Sequence, residues 1–228
     1  EDTAKKIIDD VRRKYDNVSK RFSDSRVETW TELEPLFDNY LRKGASVLDL
    51  GCGNGRFSVK VDPSNYIGVD FSEELIKIAR KNHPQATFLV ADALNLPFDN
   101  NRFNLVYAIG LLHHIPSRRL RDRIIKETYR VLVPNGVAIF TVWDIWEKTA
   151  RRKMVVKEAI KSFFGLSDLE KGDLFLNWQG EDDFYFHSFS LSGLIREFEQ
   201  NDFELVDSGK LPSQKGGTNI FVVMRKDS

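Results

Sequence analysis

Nine residues constrain this chain more than any others: Val47-Leu48-Asp49-Leu50-Gly51-Cys52-Gly53-Asn54-Gly55. An apolar run bounded by a turn signal reads as a short strand buried on both faces, and Asp49 is the only charge in it. Glycines at 51, 53 and 55 let the backbone take positive φ and approach a ligand more closely than a residue with a side chain could. The dinucleotide fingerprint Gly-x-Gly-x-x-Gly seats a pyrophosphate on a helix N-terminus and needs its third glycine where this chain has Arg56. Here the third glycine comes one residue early, which argues against a dinucleotide. On the motif alone, an ordinary strand-to-helix turn without a ligand stays open.

The next hundred residues repeat strand and helix with the period of a parallel sheet covered on both faces. Tyr66 to Asp70 reads as a second strand, and Ser72 with Glu73 and Glu74 opens a helix whose Leu75, Ile76 and Ala79 face the sheet. Gln85 to Ala91 is the third strand, running into Asp92-Ala93-Leu94, and Arg102 to Ala108 is the fourth. Ser117 caps a basic helix, Arg118 to Leu132, and Pro134-Asn135-Gly136 turns into a fifth strand, Val137 to Val142. Asp49, Asp70 and Asp92 thus close three successive strands on one edge, where open α/β sheets hold their ligands. At that edge an acid such as Asp70 can accept both hydroxyls of a ribose. Asp92 can accept from an adenine amino group, with Ala93 and Leu94 edging the base. Phe71 and Ala108 complete the expected cofactor wall.

The fourth strand leads into His113-His114. Adjacent side chains diverge and no Cys or carboxylate stands at ligand spacing, so no metal is expected there; a core or capping histidine remains the plain alternative for either residue.

The flanks are less regular. Ile7, Ile8, Val11, Tyr15 and Val18 recur at helical spacing, predicting a helix from Lys5 to about Val18 that packs as a lid, followed by a loop from Phe22 to Trp30. A helix over Glu32 to Leu41 precedes the first strand. Lys148 to Phe164 is a second basic helix, Asp168 to Asp183 reads as a polar, mobile insertion, and a helix from Leu191 to Gln200 leads to two last strands, Phe203 to Gly209 and Asn219 to Arg225, joined through Pro212 and Gly216-Gly217. One domain over 1–228 is expected: a lid (1–45), a cofactor core (46–142), an insertion (143–189) and a C-terminal helix with strands (190–228).

Composition limits the partners. With 34 basic and 34 acidic residues the net charge is zero, so nucleic-acid affinity has to be local or supplied by a partner. The two basic helices, with Trp143, Trp146 and Trp178 nearby, make an RNA-facing surface the local candidate, since phosphates need cations and unstacked bases need aromatic platforms. The single Cys52 fits a reducing, cytoplasmic setting. No apolar run approaches the ~20 residues of a membrane span, and the first residues lack a signal-peptide pattern.

With these residues in view, Val47 to Val142 resembles the class I S-adenosylmethionine-dependent methyltransferases, whose first motif is a strand, an acid and three alternating glycines. A wider likeness, from about Tyr15 to Lys226, is to the tRNA wobble-uridine methyltransferases that esterify 5-carboxymethyluridine. It rests on Phe22-Ser23 with Arg26 and Trp30, Gly51 to Gly55, Val90 to Pro97, His113-His114, Val142-Trp143 and Asn219 to Val223. The chain departs from the family's Arg-Tyr-Lys-Pro-Trp in having Arg26-Val27-Glu28-Thr29-Trp30.

The resemblance implies a Rossmann-like, mostly parallel seven-stranded sheet with an antiparallel C-terminal hairpin. It implies S-adenosylmethionine as cofactor and S-adenosylhomocysteine as product. Asp49 would order the glycine turn; Arg26 with His113 or His114 are the candidates to orient the acceptor, the alternative for Arg26 being that it orders the cofactor carboxylate. Trp30, Trp143, Arg151 and Arg152 would meet the tRNA, and a small zinc-binding activator protein would be a partner. A carboxylate, with a pKa near ~4, is ionised at neutral pH and needs orientation rather than a general base. A small-molecule methyltransferase and a catalytically silent cofactor-binding subunit are the competing readings.

Overall fold

The computed structural model describes residues 2–26, 30–163, 169–212 and 217–228. Val27, Glu28 and Thr29, together with Phe164, Asp168, Gly216 and the side chain of Lys161, lie outside the described residues.

The glycine turn follows β1 (Val47–Leu50), whose four residues are all buried because strands pair on both sides and helices cover both faces. Parallel neighbours are β2 (Tyr66–Asp70) on one side and β4 (Phe103–Ile109) on the other; β3 (Thr87–Val90) extends the sheet past β2, and β5 (Leu132–Trp143) pairs with β4. The last strands, β8 (Phe203–Pro212) and β9 (Thr218–Lys226), pair antiparallel, and β9 runs antiparallel to β5. The order is β3-β2-β1-β4-β5-β9-β8, a mostly parallel seven-stranded sheet with an antiparallel C-terminal pair. The direction of winding reverses between β1 and β4, which is where such sheets open a ligand crevice.

Side chains alternate between two cores. Leu48, Val106, Phe140 and Val222 point to the face covered by α4 (Arg118–Val131) and α6 (Leu191–Glu199); Val47, Leu105, Ile139 and Val223 point to that covered by α2 (Glu34–Tyr40) and α3 (Glu73–Asn82). As expected, Ser72 Oγ accepts from Leu75 N, and α3 buries Leu75, Ile76 and Ala79.

A third cluster caps the carboxyl end of the sheet. It joins Val11 of α1 (Asp2–Asp24), Val155 of α5 (Thr149–Phe163), and Leu174, Phe184, Tyr185 and Phe186 of a hairpin, β6 (Asp173–Trp178) with β7 (Glu181–His187). This hairpin corrects the expectation of a mobile polar insertion. Its turn is Gln179-Gly180 at φ 54° and 79°, the left-handed pair that a two-residue hairpin needs, and Asp182 and Asp183 are exposed while its aromatic residues Phe184, Tyr185 and Phe186 are fully buried. The N-terminal helix also runs further than expected and takes in Phe22 and Ser23. Strand β5 starts at Leu132 and passes through Pro134-Asn135-Gly136, where Asn135 takes φ 62° and the register with β4 shifts. Among the described residues no helix is long and apolar enough to cross a membrane.

Candidate functional site

A cleft with about 990 Å³ of empty space, part of it open to solvent, lies at the carboxyl ends of the central strands. Its floor is Gly51, Gly53, Asp70 and Phe71; Asp92, Ala93 and Leu94 form one side and Ile109 to Leu111 the other. Tyr15 and Phe22 of α1, Arg26, Trp30, His113, His114, Trp143 and Trp178 complete its lining. The strands thus supply a backbone cradle, and the rest of the lining supplies rings and a cation.

The turn is held by two bonds, Gly51 N and Cys52 N donating to Val69 O at 2.8 and 2.9 Å. Gly51 and Gly53 sit at φ 75° and 56°, and a Cβ on either would come within 3.1 Å of Leu111 or of Phe22. Asp70 is buried, its Oδ2 accepting from Gly53 N and its Oδ1 from Ser72 N, both at 2.9 Å. Burial pushes its pKa up to about 6, against the lowering pull of those two N–H groups. Asp92 stands at the rim and accepts from Leu94 N at 2.9 Å, fixing the loop that carries Ala93 and Leu94.

Three expected cofactor residues are placed off the cavity wall. Asp49 lies beneath the turn and accepts from Tyr66 Oη at 2.7 Å; burial raises its pKa to about 7. Gly55, at φ 77°, lets the turn pass the Phe88 ring, which a Cβ would meet at 2.6 Å. Ala108 is fully buried in the sheet core.

The histidines are both buried and are held differently. His114 Nδ1 lies 3.2 Å from Tyr185 O, and since a carbonyl only accepts, the proton sits on Nδ1. His114 Nε2 then accepts from Tyr15 Oη at 2.8 Å, so both ring nitrogens are engaged within the protein. His113 Nδ1 accepts from Trp143 N at 3.4 Å, which leaves the proton on Nε2; the ring stacks between Trp143 and Phe186, with centroids 5.2 and 5.7 Å away. Burial drives the pKa of His114 down to about 3 and that of His113 well below the usual range, so both are neutral near pH 7. Neither contributes a cation.

A cation is supplied by Arg26, 8% exposed. Its guanidinium stacks on Phe22 and Trp178 at 4.2 and 5.3 Å from the ring centroids and donates to Ser25 Oγ at 2.9 Å. Asn54 of the turn donates to Arg26 O at 3.0 Å and to Ser23 Oγ at 3.2 Å, tying this segment to the glycines. Trp30 also lines the cavity, with Arg56 over its ring at 4.4 Å.

Arg151 and Arg152 are placed elsewhere, on α5, where Arg152 borders a shallow outer groove with Lys153, Val156, Lys157 and Ile160. The basic helix α4 differs: Arg121 pairs with Glu197 and Glu170, Arg123 donates to Leu94 O, and Arg130 binds Glu127, Phe98 O and Leu96 O. Most of its cations hold the protein together.

Sequence reasoning missed Tyr15, Arg56 and Trp178 as cavity residues. Tyr15 has the spacing of an ordinary helix face, and Arg56 was visible only as the residue that breaks the dinucleotide pattern. Trp178 lies on a strand that the polar composition concealed.

A family model described as a methyltransferase domain matches residues 47–136. The chain is 31% identical over 219 residues to a putative methyltransferase of Encephalitozoon cuniculi, covering 95% of each chain. It is 36% identical over 143 residues to the tRNA (carboxymethyluridine(34)-5-O)-methyltransferase of Schizosaccharomyces pombe, covering 62% of this chain and 60% of that protein. Against the Arabidopsis thaliana protein of the same name the match is 37% identical and spans 32% of that protein. Among solved structures, an S-adenosylmethionine-dependent methyltransferase of Methanosarcina mazei superposes with a TM-score of 0.73 at 24% identity, over 85% of this chain and 97% of that one. A Haloferax volcanii putative methyltransferase, solved in complex with the Trm112 methyltransferase activator, superposes with a TM-score of 0.68 at 15% identity, over 96% and 98%. The glycine cradle, the strand-end acids and the relative matched along almost its whole length agree: the chain belongs to the class I S-adenosylmethionine-dependent methyltransferases.

Proposed function

We propose that this protein methylates the carboxylate of 5-carboxymethyluridine at the tRNA wobble position, forming the methyl ester. The observation that carries the reading is Arg26: a buried guanidinium faces the cavity, stacked on two aromatic rings, with no carboxylate paired to it among the described residues. Such a group is costly to bury alone and is suited to an anionic ligand that binds in fork geometry.

The residues present fit S-adenosylmethionine. Gly51 and Gly53 line the cavity with bare backbone at positive φ, Asp70 keeps lone pairs for ribose hydroxyls beyond its two backbone bonds, and Asp92 stands where an adenine amino group would be met. When bound, the cofactor supplies an electrophilic methyl on a sulfonium. Arg26 holds the acceptor carboxylate, while neutral His113, His114 and Tyr15 shape and dry the wall beside it. No proton has to be removed, which suits histidines that burial keeps from ionising. Helix α1 serves as the lid, and Arg151, Arg152, Trp30 and Trp143 serve the tRNA. A small zinc-binding activator protein is a proposed partner, a reading supported by the Haloferax neighbour's complex with an activator.

The test is Arg26→Ala, assayed for S-adenosylhomocysteine affinity and for methyl transfer to tRNA carrying carboxymethyluridine, with and without the activator. The proposal expects near-normal cofactor affinity and turnover reduced by about a hundredfold or more, since orientation of a charged reactant is lost. Loss of cofactor binding would assign Arg26 to the cofactor. Transfer to small carboxylic acids but not to tRNA would favour the small-molecule reading.

A further inference from the structure

The cavity contains a second buried guanidinium. Arg56 follows the third glycine, is 7% exposed, and lines the same space as Arg26. Its Nη1 is buried without a hydrogen-bond partner among the described residues, and its fork is flanked by Trp30 and Phe57, with centroids 4.4 and 4.7 Å away. Burial, followed by repulsion from Arg26, brings its pKa down to about 9, although the carboxylates of Asp49 and Glu32 favour its charge from nearby. Two like charges sharing one desolvated space, each braced by aromatic rings, are costly unless anions enter between them.

The two cations are braced separately. Arg56 is covalently next to the glycine turn and stacks on Trp30 and Phe57. Arg26 follows α1 and stacks on Phe22 and Trp178.

We propose that the cavity has two separate carboxylate seats: Arg56 anchors the methionine carboxylate of the cofactor, which leaves Arg26 for the carboxylate of the acceptor. This rests on the function proposed above and assigns the division of labour within it. Each fork can take a carboxylate through two parallel N–H donors, which a lysine could not do. The arrangement would also select an ionised acceptor over its neutral amide, because an amide leaves Arg26 buried and uncompensated.

The test compares two probes by calorimetry. S-adenosylhomocysteine has the carboxylate; 5′-methylthioadenosine shares the nucleoside and thioether but lacks it. Arg56→Gln is expected to weaken S-adenosylhomocysteine by about tenfold or more and leave 5′-methylthioadenosine unchanged, as loss of one charge-assisted contact requires. Arg26→Gln is expected to leave both affinities unchanged. The ligand-free Arg56→Gln protein should melt no lower than wild type, because an unpaired buried charge has been removed. Should Arg56→Gln not fold, Arg56→Lys should show the same selective loss. Equal weakening of both probes, or a lowered melting temperature with loss of both, makes Arg56 a structural residue and overturns the seat. So does selective weakening by Arg26→Gln alone. Failure of the wild-type chain to bind either probe would overturn the cofactor assignment itself.

Discussion

Asp49 and Asp70 lie on neighbouring strands, and burial holds both above the ordinary carboxylate range, to about 7 and about 6. Their consequences differ. Asp70 faces the cavity, so ligand binding uses its ionised form: affinity for S-adenosylhomocysteine should fall as the pH drops through about 6. Asp70→Ala should weaken binding about tenfold or more, on the order of 1.4 kcal/mol, as titration calorimetry would show. Asp49 faces Tyr66 instead. An unfolded Asp49 ionises near ~4, so between about 4 and 7 the native state holds a proton that the unfolded state has lost, and stability declines as the pH rises through that window. Asp49→Asn keeps an acceptor for Tyr66 Oη and removes the charge. Thermal melting of the ligand-free protein should therefore show the Asp49→Asn variant and wild type alike near pH ~4, and the variant more stable at about pH 8; equal melting at the higher pH would refute the buried charge. Tyr15→Phe would leave His114 Nε2 without its donor and should cost about 1–3 kcal/mol in a denaturant titration.

At the scale of elements, legibility followed burial. Strand β1 and its turn, β2, α3 and α6 could be read from sequence because an apolar run, a capping serine or a glycine states each of them locally. The hairpin β6–β7 could not. Its acidic Glu181-Asp182-Asp183 made the segment look solvated, while the partners that bury Phe184 and Phe186 lie far away in sequence, on α1 and beside His114. For the same reason Trp178 and Tyr15 were not recognised as one wall of the site, although their rings lie 5.5 Å apart. The basic helices looked alike in sequence. Packing separates them, because α4 spends its arginines on Glu197, Glu170 and backbone carbonyls, whereas α5 presents Arg152, Lys153 and Lys157 beside the exposed Met154, Val156 and Ile160. The proposed tRNA contact therefore rests on α5. Changing Arg151, Arg152 and Lys153 together to Glu should weaken tRNA binding and flatten its salt dependence, with cofactor affinity unmoved. Unaltered salt dependence in a filter-binding titration would make that helix merely solvated.

For the whole molecule, a seven-stranded sheet supplies the cofactor edge, and a capping layer of α1, α5 and the hairpin encloses what lies over it. The sheet alone could seat a nucleoside; the segment after α1 adds Arg26 and the cap adds the aromatic wall. Zero net charge leaves tRNA affinity to local cations and to a partner. The proposed ester chemistry is tested most directly by nucleoside mass spectrometry of tRNA carrying carboxymethyluridine, after incubation with this protein, S-adenosylmethionine and a zinc-binding activator. The expected product is one methyl heavier at the wobble uridine and reverts to carboxymethyluridine in mild alkali, as an ester must. A methyl that survives alkali, or one found on any other nucleoside, would contradict it.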